Sequence, residues 1–170
     1  MASFMPIWAS GLAMLIDGTA MLTGRTPHES DFEGLTWGLY QMGKLVSAAQ
    51  YQMCWFQMQA ISRQVAQFHA THDVWLATTL GAPVVRNGTF DFHEKDPVKA
   101  FAPMIDYLPT TPLANATGQP AISLPLAWAQ NGTPIGLHFA GRFGDENTLL
   151  KLAGQLEKAK PWAHRYPKWN

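Results

Sequence analysis

Few side chains in this sequence could do chemistry unaided. A hydrolytic serine needs a base to take its proton and donors aimed at the developing oxyanion, and such serines commonly sit in glycine-rich turns. The serines are Ser3, Ser10, Ser30, Ser47, Ser62 and Ser123, and none stands in such a turn. Ser47 reads as a helix cap, and Ser123 lies inside the apolar run 122–126 with no base that the sequence can place beside it. His69, His72 and Asp73 are close together, and histidines three apart can share a helix face and hold a metal. No further ligand follows at a familiar spacing, so they are expected at a helix C-terminus, facing its carbonyls and solvent. His138 falls in an apolar strand and is expected to be a core histidine without a catalytic role. Residues 141–146 open a helix, yet they lack the lysine and hydroxyl of a phosphate loop, and Asp145 and Glu146 put negative charge where an anion would bind. Cys54 faces the apolar side of a helix and is expected to be an inert buried thiol. No catalytic residue, metal ligand or cofactor site is therefore assigned.

The elements that must position these residues follow from periodicity. Ile7, Trp8, Leu12, Leu15, Ile16 and Leu22 recur at helical intervals over 7–22, and Gly24 stops the run. Asp31 is expected to cap a shorter helix carrying Leu35, Trp37 and Leu39 up to Gly43. Ser47 and Gln50 form a capping-box pair ahead of a long helix with Tyr51, Cys54, Trp55, Met58, Ile61, Val65 and Phe68 on one side. Residues 74–80 have the length and composition of a buried strand. Proline, glycine and charge then dominate 81–112, which predicts a long loop of the kind that often binds ligands. A helical turn at 113–117 precedes strands at 121–128 and 135–140, joined by Asn131-Gly132 as an antiparallel hairpin. Asp145 caps a last helix through Leu149, Leu152 and Leu156, closed by Pro161. The reading is α/β, a single domain over 1–170, helical over 1–72 and sheet-forming over 73–170.

Composition bounds the partners. In 170 residues, 47% apolar and 14% charged content supports a folded core, and twelve basic against twelve acidic side chains give no net charge to attract nucleic acid. The uncharged stretch 4–16 has no positive residue before it and is too short to span a bilayer, so a buried amphipathic helix is expected and no membrane partner. A single cysteine excludes an internal disulfide and suits the cytoplasm. Seven Trp, nine Phe and eight Met are many for this length, which suggests apolar surface that the chain does not cover by itself.

Residues 111–126, Thr-Pro-Leu-Ala-Asn-Ala-Thr-Gly-Gln-Pro-Ala-Ile-Ser-Leu-Pro-Leu, followed by Asn-Gly-Thr-Pro-Ile-Gly-Leu-His at 131–138, resemble the C-terminal region of the amidase-signature family. The resemblance continues through 141–146, the leucine-rich helix and Pro161-Trp162-Ala163-His164. Asp73-Val74-Trp75-Leu76-Ala77-Thr78-Thr79 is similar to a family strand that usually reads Asp-Val-Leu-Leu-Thr-Pro-Thr, with Ala77-Thr78 in place of Thr-Pro. Before residue 73 the likeness is looser, and Leu35-Thr36-Trp37 carries most of it.

The resemblance implies a partial amidase-signature fold, with a small mixed sheet and a C-terminal antiparallel hairpin covered by helices. It implies hydrolysis of carboxamide C–N bonds through a serine acyl-enzyme. The lysine and two serines of that chemistry come from sequence preceding this region, so the chain alone is expected to be inactive. The region would supply part of the cleft wall, with Trp37, Asn115 and Thr117 as substrate-binding candidates and a small amide as substrate. Uncovered apolar surface points to a homo-oligomer or to association with an N-terminal amidase part. The alternative is a non-catalytic binding or assembly module that keeps the scaffold.

Overall fold

A computed structural model describes residues 3–165. The chain divides into two compact units, one formed by 1–61 and 85–106, the other by 62–84 and 107–170. This division does not follow the change from helix to sheet at residue 73, because the chain enters each unit twice.

The first unit is helical. Helix α1 (Phe4–Thr23) packs on α2 (Gly34–Leu45), followed by α3 (Ala48–Phe68), whose residues from Ser62 on belong to the second unit, and, after the second crossing, α4 (Pro97–Tyr107). The α1 and α2 backbones approach closely because the contact is made of small residues. A Cβ on Gly43 would lie 2.1 Å from the Ala9 carbonyl oxygen and 2.9 Å from the Ala13 Cβ. On another side of α2, Gly34 and Gly38, four apart, leave a slot for backbone: a Cβ on Gly38 would meet the Lys95 carbonyl oxygen at 1.9 Å. Leu35 N–H donates to the Phe92 carbonyl at 2.9 Å, so the 92–97 segment also satisfies the helix start. Around these contacts Ala9, Leu35, Leu39 and Ala100 form one apolar cluster, and Ala13, Ile16 and Tyr40 form another. The Tyr40 hydroxyl donates to Asp17 at 2.7 Å and Lys44 pairs with the same carboxylate. The Lys44 and Tyr40 hydrogen bonds hold the Asp17 carboxyl below its ordinary range.

The second unit contains the sheet. Strands β1 (Val74–Thr78), β2 (Ala121–Trp128) and β3 (Pro134–Gly141) lie in the order β1-β3-β2, with both pairs antiparallel. Val74 and Ile122, Leu124, Leu126, Leu137 and Phe139 share one face, which α6 (Glu146–Ala159) covers through Leu149, Leu152, Ala153 and Leu156. Helix α5 (Thr111–Thr117) precedes β2. The hairpin turn is closed by Gly132 N–H to the Ala129 carbonyl at 2.9 Å, with Gly132 at φ +82°, a conformation that residues with a Cβ rarely take.

Mixed α/β architecture, the hairpin and the Asp145 cap stand as read: Asp145 accepts from Thr148 N–H at 3.3 Å and from the Thr148 hydroxyl at 2.7 Å. Four details differ. The expected mixed pairing is absent among the described strands, all of which pair antiparallel. Asp31 accepts from His28 N–H at 3.1 Å and caps a 3-10 turn over Glu29–Asp31, while α2 begins later, at Gly34. The 81–112 loop holds α4, because Pro97 is its first residue, where a missing N–H costs nothing, and Asp96 accepts from Val98 N–H at 3.0 Å. Finally, α1, which ends where the 7–22 helix is expected to end, has 20 residues and is long and apolar enough to cross a bilayer by length and composition, unlike the stretch 4–16 taken alone. In this structure it buries Ala9, Ala13 and Ile16 and leaves Met14, Leu15, Met21 and Leu22 exposed.

Candidate functional site

The polar face of the second unit's sheet, opposite α6, is built by register. Pairing of Ser123 with His138 and of Trp75 with Ala140 sets these side chains, with Ala77, on one face. Thr79 continues β1, donating its N–H to the Gly136 carbonyl at 2.9 Å. Its hydroxyl lies 2.5 Å from Ser123 Oγ. A Cβ on Gly136 would fall 2.6 Å from Thr79 Oγ1 and 2.7 Å from Ser123 Oγ, so glycine is what admits both hydroxyls. Ser123 is exposed, and its hydroxyl is spent on another hydroxyl with a pKa too high for a base. This pair can bind an amide by hydrogen bonds, and the contact described for Ser123 Oγ is with a hydroxyl, which does not activate it.

His138 is buried beside this pair, and burial lowers its pKa, favouring the neutral ring. It borders a cavity of about 10 Å³ shared with Trp75, Thr110, Leu113, Ala114, Gln119 and Ala140. Gln119 joins α5 to the sheet, donating to the Gly141 carbonyl at 2.8 Å and accepting from the Thr117 hydroxyl at 3.0 Å.

The histidines at the end of α3 are placed by a contact that local sequence does not reveal. Arg142, just after β3, donates from Nη2 to the His69 carbonyl at 2.7 Å. The His69 ring is buried, contrary to the expected solvent exposure, and its Nδ1–H donates to the His72 carbonyl at 3.1 Å. The His72 ring stacks on Phe68 at 4.4 Å, with Nδ1 3.2 Å from the Phe68 carbonyl. Both rings thus close the helix end. Cys54 is buried and free.

Of the cleft candidates, Trp37 stands in the first unit, half-buried, with its ring 5.8 Å from Phe32 and 5.0 Å from Tyr40. Asn115 and Thr117 lie on α5 in the second unit. Asn115 is exposed, whereas the Thr117 hydroxyl donates to the Leu113 carbonyl at 2.9 Å. Sequence reasoning missed the Thr79 and Ser123 pair, although alternation along the two strands and the intervening Gly136 carried the signal.

The sequence pattern of the Amidase family matches residues 18–150, and the chain belongs to that family. Its sequence is 34% identical over 165 residues to the protein named putative amidase AmiC of Mycobacterium leprae (strain TN); the match takes in 94% of this chain and 34% of that one. The fold is similar to the solved 6-aminohexanoate cyclic dimer hydrolase complexed with substrate, with a TM-score of 0.84 and 27% identity over 99% of this chain and 36% of that one. A bacterial aryl acylamidase of the amidase-signature family shares the fold at a TM-score of 0.73 and 19% identity, over 94% of this chain and 34% of the other. The chain spans about a third of the length of the relatives it matches.

Proposed function

We propose that this chain is the C-terminal part of an amidase that hydrolyses carboxamide C–N bonds through a serine acyl-enzyme, with the reacting lysine and serines supplied by the portion of the fold that the sequence does not span. The observation that carries this reading is the alignment of 94% of the chain with only 34% of AmiC. The chemistry of the described site agrees, since Ser123 is partnered by Thr79 and not by a base. In the complete enzyme an activated serine oxygen attacks the amide carbonyl, the amine leaves with a proton, and water then releases the acid from the ester.

The present chain contributes wall and scaffold to that reaction. Asn115, with its amide in solvent, is the strongest substrate contact among the three candidates; Thr117 orients Gln119, and Trp37 is a wall residue whose ring is already half covered. Exposed Met14, Leu15, Met21, Leu22, Met53 and Phe56 support association, as a homo-oligomer or with an N-terminal amidase part. A monomeric mass by light scattering at micromolar concentration, both alone and after mixing with that part, would overturn this. A reducing, cytoplasmic setting agrees with one buried thiol.

The test is a fusion of this chain to the N-terminal two thirds of AmiC from Mycobacterium leprae, assayed for amine release from a small aryl amide. Turnover by the fusion and none by the chain alone is expected. Turnover by the chain alone, or none by a folded fusion, would overturn the reading.

A further inference from the structure

Helix α5 is too short to hold its place by itself. At seven residues it falls below the length at which an isolated helix persists in water, and Ala114 is its one buried residue. Its position is therefore set by what grips its ends. At the entry the grip is loose: the Thr110 hydroxyl reaches the Thr78 carbonyl at 3.4 Å, near the limit of a hydrogen bond.

The exit is held through three successive residues. Gly118 takes the left-handed conformation at φ +73° and returns its N–H to the Ala114 carbonyl at 2.9 Å, which ends the helix. Gln119 then uses both ends of its amide. Its Nε2 donates to the Gly141 carbonyl at 2.8 Å, and its Oε1 accepts from the Thr117 hydroxyl at 3.0 Å. Pro120 follows with φ fixed by its ring, and its carbonyl accepts from Gly141 N–H at 2.9 Å. A single residue of β3 thus accepts from Gln119 and donates to Pro120.

Gly141 is a firm anchor for this clamp. It pairs with Val74 at the end of the sheet, and a Cβ there would lie 3.2 Å from Leu149 Cγ, on a side chain only 3% exposed. The apolar core under α6 therefore reaches α5 through Gln119. The choice of side chain follows from the two bonds. Glutamate has no N–H for the Gly141 carbonyl, lysine has no acceptor for the Thr117 hydroxyl, and asparagine is one methylene shorter.

Asn115 stands on the same helix, four residues before Gln119, with its side chain exposed. We propose that Gln119 is a positioning residue for amide binding, holding α5 so that the Asn115 side chain meets the substrate. This rests on the reading of the chain as part of an amidase and of Asn115 as a substrate contact. Gln119 touches no substrate and takes no part in making or breaking bonds. Its effect is to keep Asn115 in one place before substrate arrives, which lowers the ordering that binding would otherwise require.

Two measurements test this, and they fail separately. Amide hydrogen exchange on the chain itself reads the clamp. Gln119→Glu keeps the shape and loses the donor, and it is expected to speed exchange at Asn115, Ala116 and Gly118 by about tenfold with the β3 amides unchanged. Unchanged exchange at those positions, or equal acceleration through β3, would show that Gln119 does not hold α5 and would overturn the proposal.

Steady-state kinetics on the AmiC fusion read the positioning. Gln119→Glu and Gln119→Ala are expected to raise KM for an aryl amide by about fivefold with kcat within about twofold. Adding Gln119→Ala to Asn115→Ala is expected to raise KM no further, since both changes remove the same contact. Full multiplication of the two effects, or a fall in kcat with KM unchanged, overturns the route through Asn115. If Asn115→Ala leaves KM unchanged in a fusion that turns over, this proposal fails and the amidase reading survives. If no folded fusion turns over, the amidase reading fails and takes the substrate role with it, leaving Gln119 as a clamp on α5 alone.

Discussion

Ser123 Oγ and Thr79 Oγ1 lie 2.5 Å apart on the polar face of the sheet, in the space that a side chain at position 136 would otherwise fill. The contact joins the last residue paired along β1 to the middle of β2 across β3, and it leaves the serine with a partner that cannot serve as its base. Ser123→Ala in the AmiC fusion is therefore expected to change kcat by no more than about twofold. A loss of about a thousandfold would make Ser123 a nucleophile and sink the assignment.

Asn115 should behave as a contact to bound substrate. Asn115→Ala in the same fusion is expected to raise KM by roughly tenfold with little effect on kcat, the pattern of an interaction made equally in the ground and transition states. Steady-state kinetics on an aryl amide decide it, and unchanged KM would remove Asn115 from the cleft.

His138 gives the second unit a pH dependence whose sign is fixed by burial. Its native pKa lies below the unfolded value of about 6.5, so the unfolded chain binds the proton first as pH falls. The stabilisation is complete above about pH 6.5, is lost as pH drops toward the native pKa, and changes no further below it. Urea midpoints should therefore fall between about pH 7.5 and pH 5.5, and His138→Gln should flatten that particular slope. An identical slope in the variant would show that other groups produce it.

The α1 and α2 contact predicts opposite outcomes for the same change at two helical glycines. Gly43→Ala forces a methyl onto the Ala9 carbonyl at 2.1 Å and should cost about 1–3 kcal/mol in urea unfolding. Gly11→Ala meets nothing within 4 Å and should stabilise by about 0.5–1 kcal/mol. Equal midpoints for the two variants would mean that the helices do not pack this closely in solution.

Arg142, just after β3, holds the residues that follow α3 through the His69 carbonyl. Arg142→Ala should speed amide exchange at 69–72 by about tenfold or more, with the β3 amides unchanged. Uniform acceleration across the unit would instead mark Arg142 as a general stability residue.

What could be read from residue order alone divides along the range of the interactions. The Asn131-Gly132 turn, the Asp145 cap and the apolar repeat of α3 are local, and each is where the sequence places it. Pro97 read as a break because a helix-starting proline and a loop proline look alike until Ala100 and Met104 are seen to be buried. The hydrogen bond of Arg142 to the His69 carbonyl spans 73 residues, and no local pattern carries it. The hydroxyl pair was legible in principle, since strand alternation sets Thr79, Ser123 and Gly136 on one face.

The slot along Gly34 and Gly38 has a bearing on synthesis. Its filling backbone, residues 92–97, is translated well after α2, and the intervening stretch 62–84 belongs to the other unit. During translation α2 therefore emerges with a bare face and an unsatisfied first turn, and it waits through the start of a second folding unit before its own neighbour arrives. A stall or a nick between 46 and 91 would strand that helix with one face uncovered, a state in which apolar surface is open to wrong partners.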